Sequence, residues 1–351
     1  VITKDNYPFY YRPRLIEFLS GELEVADIII HDQDWFADNN VDLKLNEEVI
    51  ELNYEEKWIK SDKNNFYDYD KLLIASGAYS FRPPIEGVNK DKIYTLRNIN
   101  DAKIIYNQAE KSSKAVVVGG GLLGLESAYN LVKCGLDVTV LEVEDWLLPR
   151  QLDKASGNRL QQRLEDKGLN IKTGVKTLSF SDSKEEVKVH LDSGELIQTE
   201  MVVLSTGIRC NHKYLQDVKE LEIDKGIIVN KHMETSLENV YAAGDVTNFN
   251  DHLYGLWKPA QKQGQIAGKN IVGKSISFSH FPPSSRLKVV GVNVISVGKI
   301  NNNLNNIEKF EQKDGYQKIF KDKNNEIKGF ISIGNSVDFN IRQITNKIQA
   351  N

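Results

Sequence analysis

The sequence predicts an α/β protein of two or three domains, with a dinucleotide-binding unit near its middle. Three observations lead there. The stretch KAVVVGGGLLGLESA (114–128) runs from an apolar strand into a small-residue helix, through glycines at the G-x-G-x-x-G spacing. A second apolar strand, DVTVLE (137–142), follows and ends in an acid. At 351 residues the chain exceeds what one ordinary core fills.

Residues 115–118 are apolar and mostly β-branched, which suits a parallel strand buried on both faces. Gly119 permits the tight turn out of that strand. Gly121 lets the backbone approach a pyrophosphate, and Gly124 lets the next helix pack on the sheet. The phosphates then meet unpaired N–H groups, those of Leu122 and Leu123 included, at the positive end of a helix over about 122–133. Gly135 ends that helix. Glu142 lies twenty-three residues beyond Gly119, close to the spacing of the acid that receives ribose hydroxyls. Val143, Glu144 and Asp145 offer no cation to a 2′-phosphate, so NADH is favoured over NADPH. The plainer reading is a glycine-rich turn in an unrelated α/β domain, which would not require the second strand and its acid.

Composition narrows the function classes. Forty-five Lys and Arg against forty-nine Asp and Glu leave a net charge of −4, which argues against a general nucleic-acid binder. No apolar run approaches the roughly 20 residues of a membrane helix, and no secretory signal is seen, so a cytoplasmic protein is expected. Cys134 and Cys210 sit in separate motifs without C-x-x-C spacing, as two free thiols would. The six histidines are scattered without ligand spacing, so no metal site is expected.

Three more segments end in small residues after a hydrophobic strand: YDKLLIASG (69–77), MVVLSTG (201–207) and NVYAAGD (239–245). Each is either an ordinary strand and turn or a backbone passing close to a ligand. Taken in order, ASG (75–77), GGGLLGLE (119–126), STG (205–207) and AGD (243–245) resemble the FAD-dependent pyridine nucleotide oxidoreductases. PAQKQGQIAG (259–268) looks like that family's helix facing the flavin pyrimidine ring. The resemblance covers nearly the whole chain. It implies two Rossmann-like dinucleotide-binding domains, for FAD and NAD, and a C-terminal α+β interface domain. The FAD domain would take residues 1–95 and 229–274, the NAD domain 96–228 and the interface domain 275–351.

The family also carries a first G-x-G-x-x-G near its N-terminus, and this chain has none. By the resemblance, VITKDNYPFYYRPRL starts at the end of the second strand of that unit, so a βαβ of ~30 residues is expected upstream. FAD is expected in the intact protein, with poor retention by this stretch alone. The residues implied for FAD are Tyr11, Arg12, Pro13, Ala75, Ser76, Gly77, Gly244, Asp245, Gln263 and Gly264. Those implied for NADH are Gly119, Gly121, Leu122, Leu123, Gly124, Glu126, Glu142, Ser205, Thr206 and Gly207.

Disulfide reductases of this family place two cysteines on the helix touching the flavin, where this chain has YYRPRL (10–15) and no sulfur. That string resembles NADH:rubredoxin oxidoreductases and the flavin region of assimilatory nitrite reductases. A lysine that pairs with a glutamate in oxygenase-type reductases falls here on Glu17, so that ion pair is absent. Glu126 stands where the family places a glutamate near the nicotinamide, with Arg12 or Arg14 to neutralise it. For the two arginines the alternative is a solvated helix start. Cys134 reads as a packed thiol. Cys210 follows the STG turn, where an exposed thiol is expected, with nothing nearby to activate it.

The resemblance therefore implies an NADH-dependent reductase whose FAD passes electrons to a small carrier of the rubredoxin or ferredoxin type, as monomer or homodimer. The competing readings are an NADH oxidase or peroxide reductase, and a nucleotide-sensing flavoprotein with slow turnover. After Gly273 the pattern becomes β-rich: 286–300 alternates, 301–306 is an asparagine-rich turn, YQKIFKD and EIKGFISIG suggest a hairpin, and 336–351 reads as helical. Residues 281–351 carry eleven Lys and Arg against six Asp and Glu. This basic module either steers an acidic carrier or is a solvated lysine-rich surface.

Overall fold

The computed structural model describes residues 1–183, 186–280, 284–289, 291–300, 306–312, 315–334 and 348. They fall into two units. The first holds Val1–Leu15, Glu24–Phe81 and Gly207–Phe281; the second holds Ile16–Leu23, Arg82–Thr206 and Pro282–Asn351.

The second unit is organised by a parallel five-stranded sheet. Its order is Asn170–Thr173, Asp137–Glu142, Lys114–Val118, Met201–Leu204 and Ile93–Thr95. Ala115 to Val118 and all of Met201–Leu204 are buried, as strands covered on both faces must be. The helix Leu122–Lys133 covers one face through Leu125, Ala128 and Leu131, each fully buried. It ends as the sequence predicts: Gly135 takes a positive φ of 88° and donates its N–H to Val132 O. The strand Lys114–Val118 has the sheet's second strand on one side and Met201–Leu204 on the other, so the chain order reverses there. Open α/β sheets bind ligands beyond the carboxyl ends of strands at such a point.

Two further sheets complete this unit. Thr177–Ser183, Glu186–Leu191 and Leu196–Thr199 form an antiparallel meander whose Val187, Val189 and Leu191 alternate into the core. The tail is an antiparallel sheet ordered Ser284–Val289, Val292–Gly298, Ile327–Gly334, Gly315–Lys321, Asn306–Gln312. The expected hairpin is present, Lys321 facing Ile327. The asparagine-rich turn over 301–305 and the helix over 336–351 lie outside the described residues, Asn306 and Ile348 excepted.

The first unit packs around Ile74, Val240, Ala242, Ile266 and Ala267. Leu72–Ile74 and Val240–Ala242 run parallel side by side, so the ASG and AGD turns leave from neighbouring strand ends. The helix Trp257–Ile271 lies in the same unit and buries Gln263, Ile266, Ala267 and Asn270. The chain passes between units after Phe81 and Thr206, where the sequence divides it at 95 and 228. The physical reason is a strand pair: Ile208–Cys210 hydrogen-bonds to Ala78–Ser80 and holds the segment after STG in the first unit.

Candidate functional site

The glycine loop is built by two close backbone approaches. Gly119 sits at φ 118°, and a Cβ there would fall 2.3 Å from Ser205 O. A Cβ on Gly124 would fall 1.9 Å from Gly119 O. Neither backbone oxygen can move aside, so both positions admit only glycine. Gly121 differs: a Cβ there meets nothing within 4 Å. The open space beside Gly121 is where a pyrophosphate would lie.

Around that space the donors are in place. Gly121 is the N-cap and has no side chain to cap with, and the first helical bond runs from Leu125 N–H to Gly121 O. The N–H groups of Leu122, Leu123 and Gly124 thus lack an intrahelical acceptor, as in any first turn. They form the positive end of the helix dipole. Ser205 N–H donates to Val118 O, so Ser205 and Thr206 leave their strand beside the glycine loop. Gly207 falls in the first unit, where its carbonyl accepts from Phe81 N–H.

Glu142 closes the loop. Its Oε2 accepts the N–H of Gly120 at 2.7 Å and its Oε1 accepts the N–H of Glu144 at 2.9 Å. Only 7% of the residue is exposed. An ionised carboxylate offers about four acceptor sites, so each oxygen keeps a lone pair for a ribose hydroxyl. Gly120 is a structural member of this loop that spacing alone does not single out. Its Cβ would meet Leu147 Cδ2 at 2.7 Å and Glu142 Cβ at 3.0 Å. The signal was the run of three consecutive glycines, of which the G-x-G-x-x-G pattern uses only the outer two.

Glu126 lies on the same helix, four residues past its start, and burial together with the charge of Glu17 pushes its carboxyl up to about 7. Arg12 pairs with Asp5 at 3.3 Å and lies over the Tyr10 ring, while Arg14 donates to Asp27 O at 3.2 Å. These partners all belong to the first unit. Tyr11 stacks edge-on against Trp257 with ring centroids 4.9 Å apart. Pro13 occupies the second position of the 3-10 helix Arg12–Ser20, where its missing N–H costs nothing.

In the first unit, Gln263 ties the AGD turn to its helix. Its Oε1 accepts from Gly244 N–H at 2.8 Å and from Thr247 Oγ1 at 3.1 Å. The residue is 1% exposed, and its Nε2 is buried without a hydrogen-bond partner. A buried amide donor left unmatched costs about 1–3 kcal/mol, which a flavin carbonyl at this position would recover. Gly244 and Gly77 both take positive φ, Ser76 Oγ donates to Asn211 O at 2.7 Å, and Gly264 leaves open space beside the helix. Ala75, the first residue of the ASG turn, is exposed. These residues fit a dinucleotide, and the two predicted sets sit on separate units, Gly207 excepted.

The cysteines correct one expectation. Cys210 is buried, not exposed, and its Sγ donates to Asp245 O at 3.1 Å, because the Ile208–Cys210 strand turns it beneath the AGD loop. Cys134 Sγ donates to Leu19 O at 2.8 Å. Both thiols are free, and burial pushes each above its ordinary pKa. Neither is poised as a thiolate at neutral pH. Among the described residues no group of three or more His, Cys, Asp or Glu could hold a metal, and no helix is long and apolar enough to cross a membrane.

Comparisons with known proteins agree with this architecture. The family profile described as pyridine nucleotide-disulphide oxidoreductase matches residues 1–264. The profile described as rubredoxin NAD+ reductase C-terminal domain matches residues 283–348. The nitrite reductase [NAD(P)H] of Bacillus subtilis is 33% identical over 343 residues, 97% of this chain and 42% of the relative. The chain thus spans under half the length of that protein. The NADH-rubredoxin oxidoreductase of Clostridium acetobutylicum is 33% identical over 303 residues, 86% of this chain and 76% of the relative. The crystal structure of NADH:rubredoxin oxidoreductase from the same organism superposes with a TM-score of 0.85 at 32% identity, over 99% of this chain and 88% of that one.

Proposed function

The chain belongs to the pyridine nucleotide-disulphide oxidoreductase family, and on that premise we propose that it is an NADH-dependent flavoprotein reductase serving a small electron carrier of the rubredoxin or ferredoxin type. The observation that carries the reading is the glycine loop closed by Glu142. Gly121 borders open space at the start of the helix, and Glu142, held by two backbone N–H groups, would receive ribose hydroxyls. A carboxylate there repels a 2′-phosphate, and Glu144 and Asp145, both exposed, add to the repulsion.

FAD, when bound, would supply the redox chemistry, taking two electrons together as one hydride and releasing them singly. The chain's own residues do the rest. Gly119 to Gly124 bind and orient the coenzyme pyrophosphate. Ser76, Gly77, Gly244, Asp245 and Gln263 would hold the flavin nucleotide, with Gln263 Nε2 as the donor awaiting an acceptor. Tyr11, with Trp257 against it, would shield the ring from water.

The state of the two thiols favours an external acceptor over an internal disulfide. Reduction of peroxide through cysteine needs a thiolate beside the flavin, and burial holds both Cys134 and Cys210 as thiols. The test is a steady-state screen of the full-length protein with NADH against rubredoxin, ferredoxin, oxygen and peroxide. Turnover with a carrier should exceed that with oxygen by at least about tenfold. Equal turnover with oxygen would sink the electron-carrier reading.

A further inference from the structure

Between the strand Asp137–Glu142 and the helix Lys154–Glu165 the chain passes against the glycine loop. Leu148, in the middle of this passage, is fully buried and takes a positive φ of 53°. Most other non-glycine residues described at positive φ are Asn, Asp or Lys. The left-handed region is unfavourable for a bulky side chain, and Pro149 disfavours the right-handed helical region for the residue before it. The conformation holds because it places both backbone groups of Leu148. Its N–H donates to Gly120 O at 3.1 Å, and its carbonyl accepts the N–H groups of Gln151 at 2.9 Å and Leu152 at 2.8 Å.

The tail sheet grips the same passage. Ser296, on the strand Val292–Gly298, donates its hydroxyl to Gln151 O, and Lys318 bonds the carboxylate of Asp153. Trp146 Nε1 closes the passage on itself by donating to Leu152 O at 3.0 Å. All these residues belong to the second unit. A continuous run of hydrogen bonds thus leads from Ser296 through Gln151 and Leu148 to Gly120.

We propose that Leu148 is a positioning residue for the coenzyme: held in the left-handed conformation from the tail sheet through Ser296, it fixes the direction of the Gly120–Gly121 peptide beside the pyrophosphate space.

Consecutive glycines have the widest backbone freedom, so a loop of them does not order itself. Here Gly120 is held on two sides. Its N–H donates to Glu142 Oε2 at 2.7 Å, and its carbonyl accepts from Leu148. The peptide to Gly121 is planar and trans, so fixing that carbonyl also fixes the Gly121 N–H on the opposite edge. Gly121 borders the open space at the start of the helix. A peptide ordered before the coenzyme arrives binds it without paying to be ordered. Strain at one buried leucine thereby orders a loop that glycine alone leaves loose. The inference rests on the reading of this loop as the NADH site.

The test uses the full-length protein. Leu148→Ile and Leu148→Met both conserve volume, but a β-branched side chain is excluded from the left-handed region more strongly than an unbranched one. Leu148→Ile should raise the NADH Kd about three- to tenfold, the loss of one hydrogen bond's worth of ordering, with the effect falling on KM more than on kcat. Leu148→Met should bind NADH at least about threefold more tightly than Leu148→Ile. Ser296→Ala should raise the Kd about two- to fivefold. A Kd that is the same in Leu148→Ile and Leu148→Met overturns the positioning role. A Kd that Ser296→Ala leaves unchanged overturns the hold from the tail.

Amide hydrogen exchange without nucleotide provides a second readout. The Gly120 and Leu148 amides should exchange at least about tenfold faster in Leu148→Ile than in Leu148→Met. Equal exchange overturns the brace whatever the nucleotide does. Should Leu148→Ile fail to fold, Ser296→Ala against the wild type carries both measurements. Failure of the wild type to bind NADH would instead remove the reading of the glycine loop, while exchange still decides the brace.

Discussion

The N–H of Gly120 donates to Glu142 Oε2 across 2.7 Å, so the acid that would select the coenzyme also pins the loop that would hold it. Binding and specificity are therefore mechanically joined. Glu142→Arg should weaken NADH use and raise NADPH use. It should also lower stability by about 1.5–3 kcal/mol, because a hydrogen bond to a charged acceptor is lost from a buried site. Ratios of kcat/KM for the two coenzymes, read beside a melting curve, check both halves. An unchanged coenzyme preference would refute the ribose assignment.

The loop glycines should separate into two classes. Gly124→Ala places a methyl 1.9 Å from Gly119 O and should cost about 1–3 kcal/mol of stability or more, since backbone must shift. Gly121→Ala meets open space at an ordinary φ of −79° and should leave the melting temperature near wild type. It should nevertheless raise the NADH Kd at least about tenfold, by filling the pyrophosphate space. Equal behaviour of the two variants in both assays would contradict the assignment of roles.

Gln263 gives a parallel test in the first unit. Gln263→Met keeps side-chain length but removes the acceptor used by Gly244 N–H. The cost should be about 1–3 kcal/mol, and the flavin should be retained about tenfold or more less tightly. Flavin released on gel filtration, compared with the wild type, measures it.

The tail sheet is held by a buried ion pair. Lys318, 3% exposed, bonds the carboxylate of Asp153, 6% exposed, which also caps the helix Lys154–Glu165. Burial would raise the Asp153 carboxyl, but Lys318 and Ser156 outweigh it and hold it below the usual range. A depressed folded pKa means stabilisation that is present above the unfolded value and lost as pH falls through the folded one. Lys318→Met alone should cost about 3–5 kcal/mol, because it strands a buried carboxylate. Adding Asp153→Asn, which still caps the helix, should restore much of that loss in thermal melts.

Glu126 predicts the opposite slope. Its folded pKa is raised from 4.5 to about 7, so the native state binds more protons between those values. Stability of the nucleotide-free protein should fall as pH rises through that window, by up to about 1.4 kcal/mol per unit, and Glu126→Gln should flatten the profile.

Much of this architecture is legible in the chain. Strand, helix and second strand around the glycine loop fall at 114–118, 122–133 and 137–142 because apolar runs, glycines and Gly135 punctuate them without competition. Two features are not legible locally. Cys210 looks exposed after its turn, and only the pairing of Ile208–Cys210 with Ala78–Ser80, more than 120 residues upstream, buries it. Gly120 is silent in the motif because its partners, Glu142 at the end of the second strand and Leu147 beyond it, lie more than 20 residues downstream. The same holds for Lys318, whose place in the core depends on Asp153, 165 residues away.

The central claim is that NADH delivers electrons at the glycine loop and that they leave from flavin to a carrier. Rapid anaerobic mixing of FAD-loaded full-length protein with NADH or NADPH, followed by oxidised rubredoxin or by oxygen, tests it most directly. The account predicts bleaching of the flavin absorbance at least about tenfold faster with NADH than with NADPH, and recovery faster with rubredoxin than with oxygen. Equal bleaching by the two coenzymes, or recovery that oxygen drives as fast as rubredoxin, would contradict it.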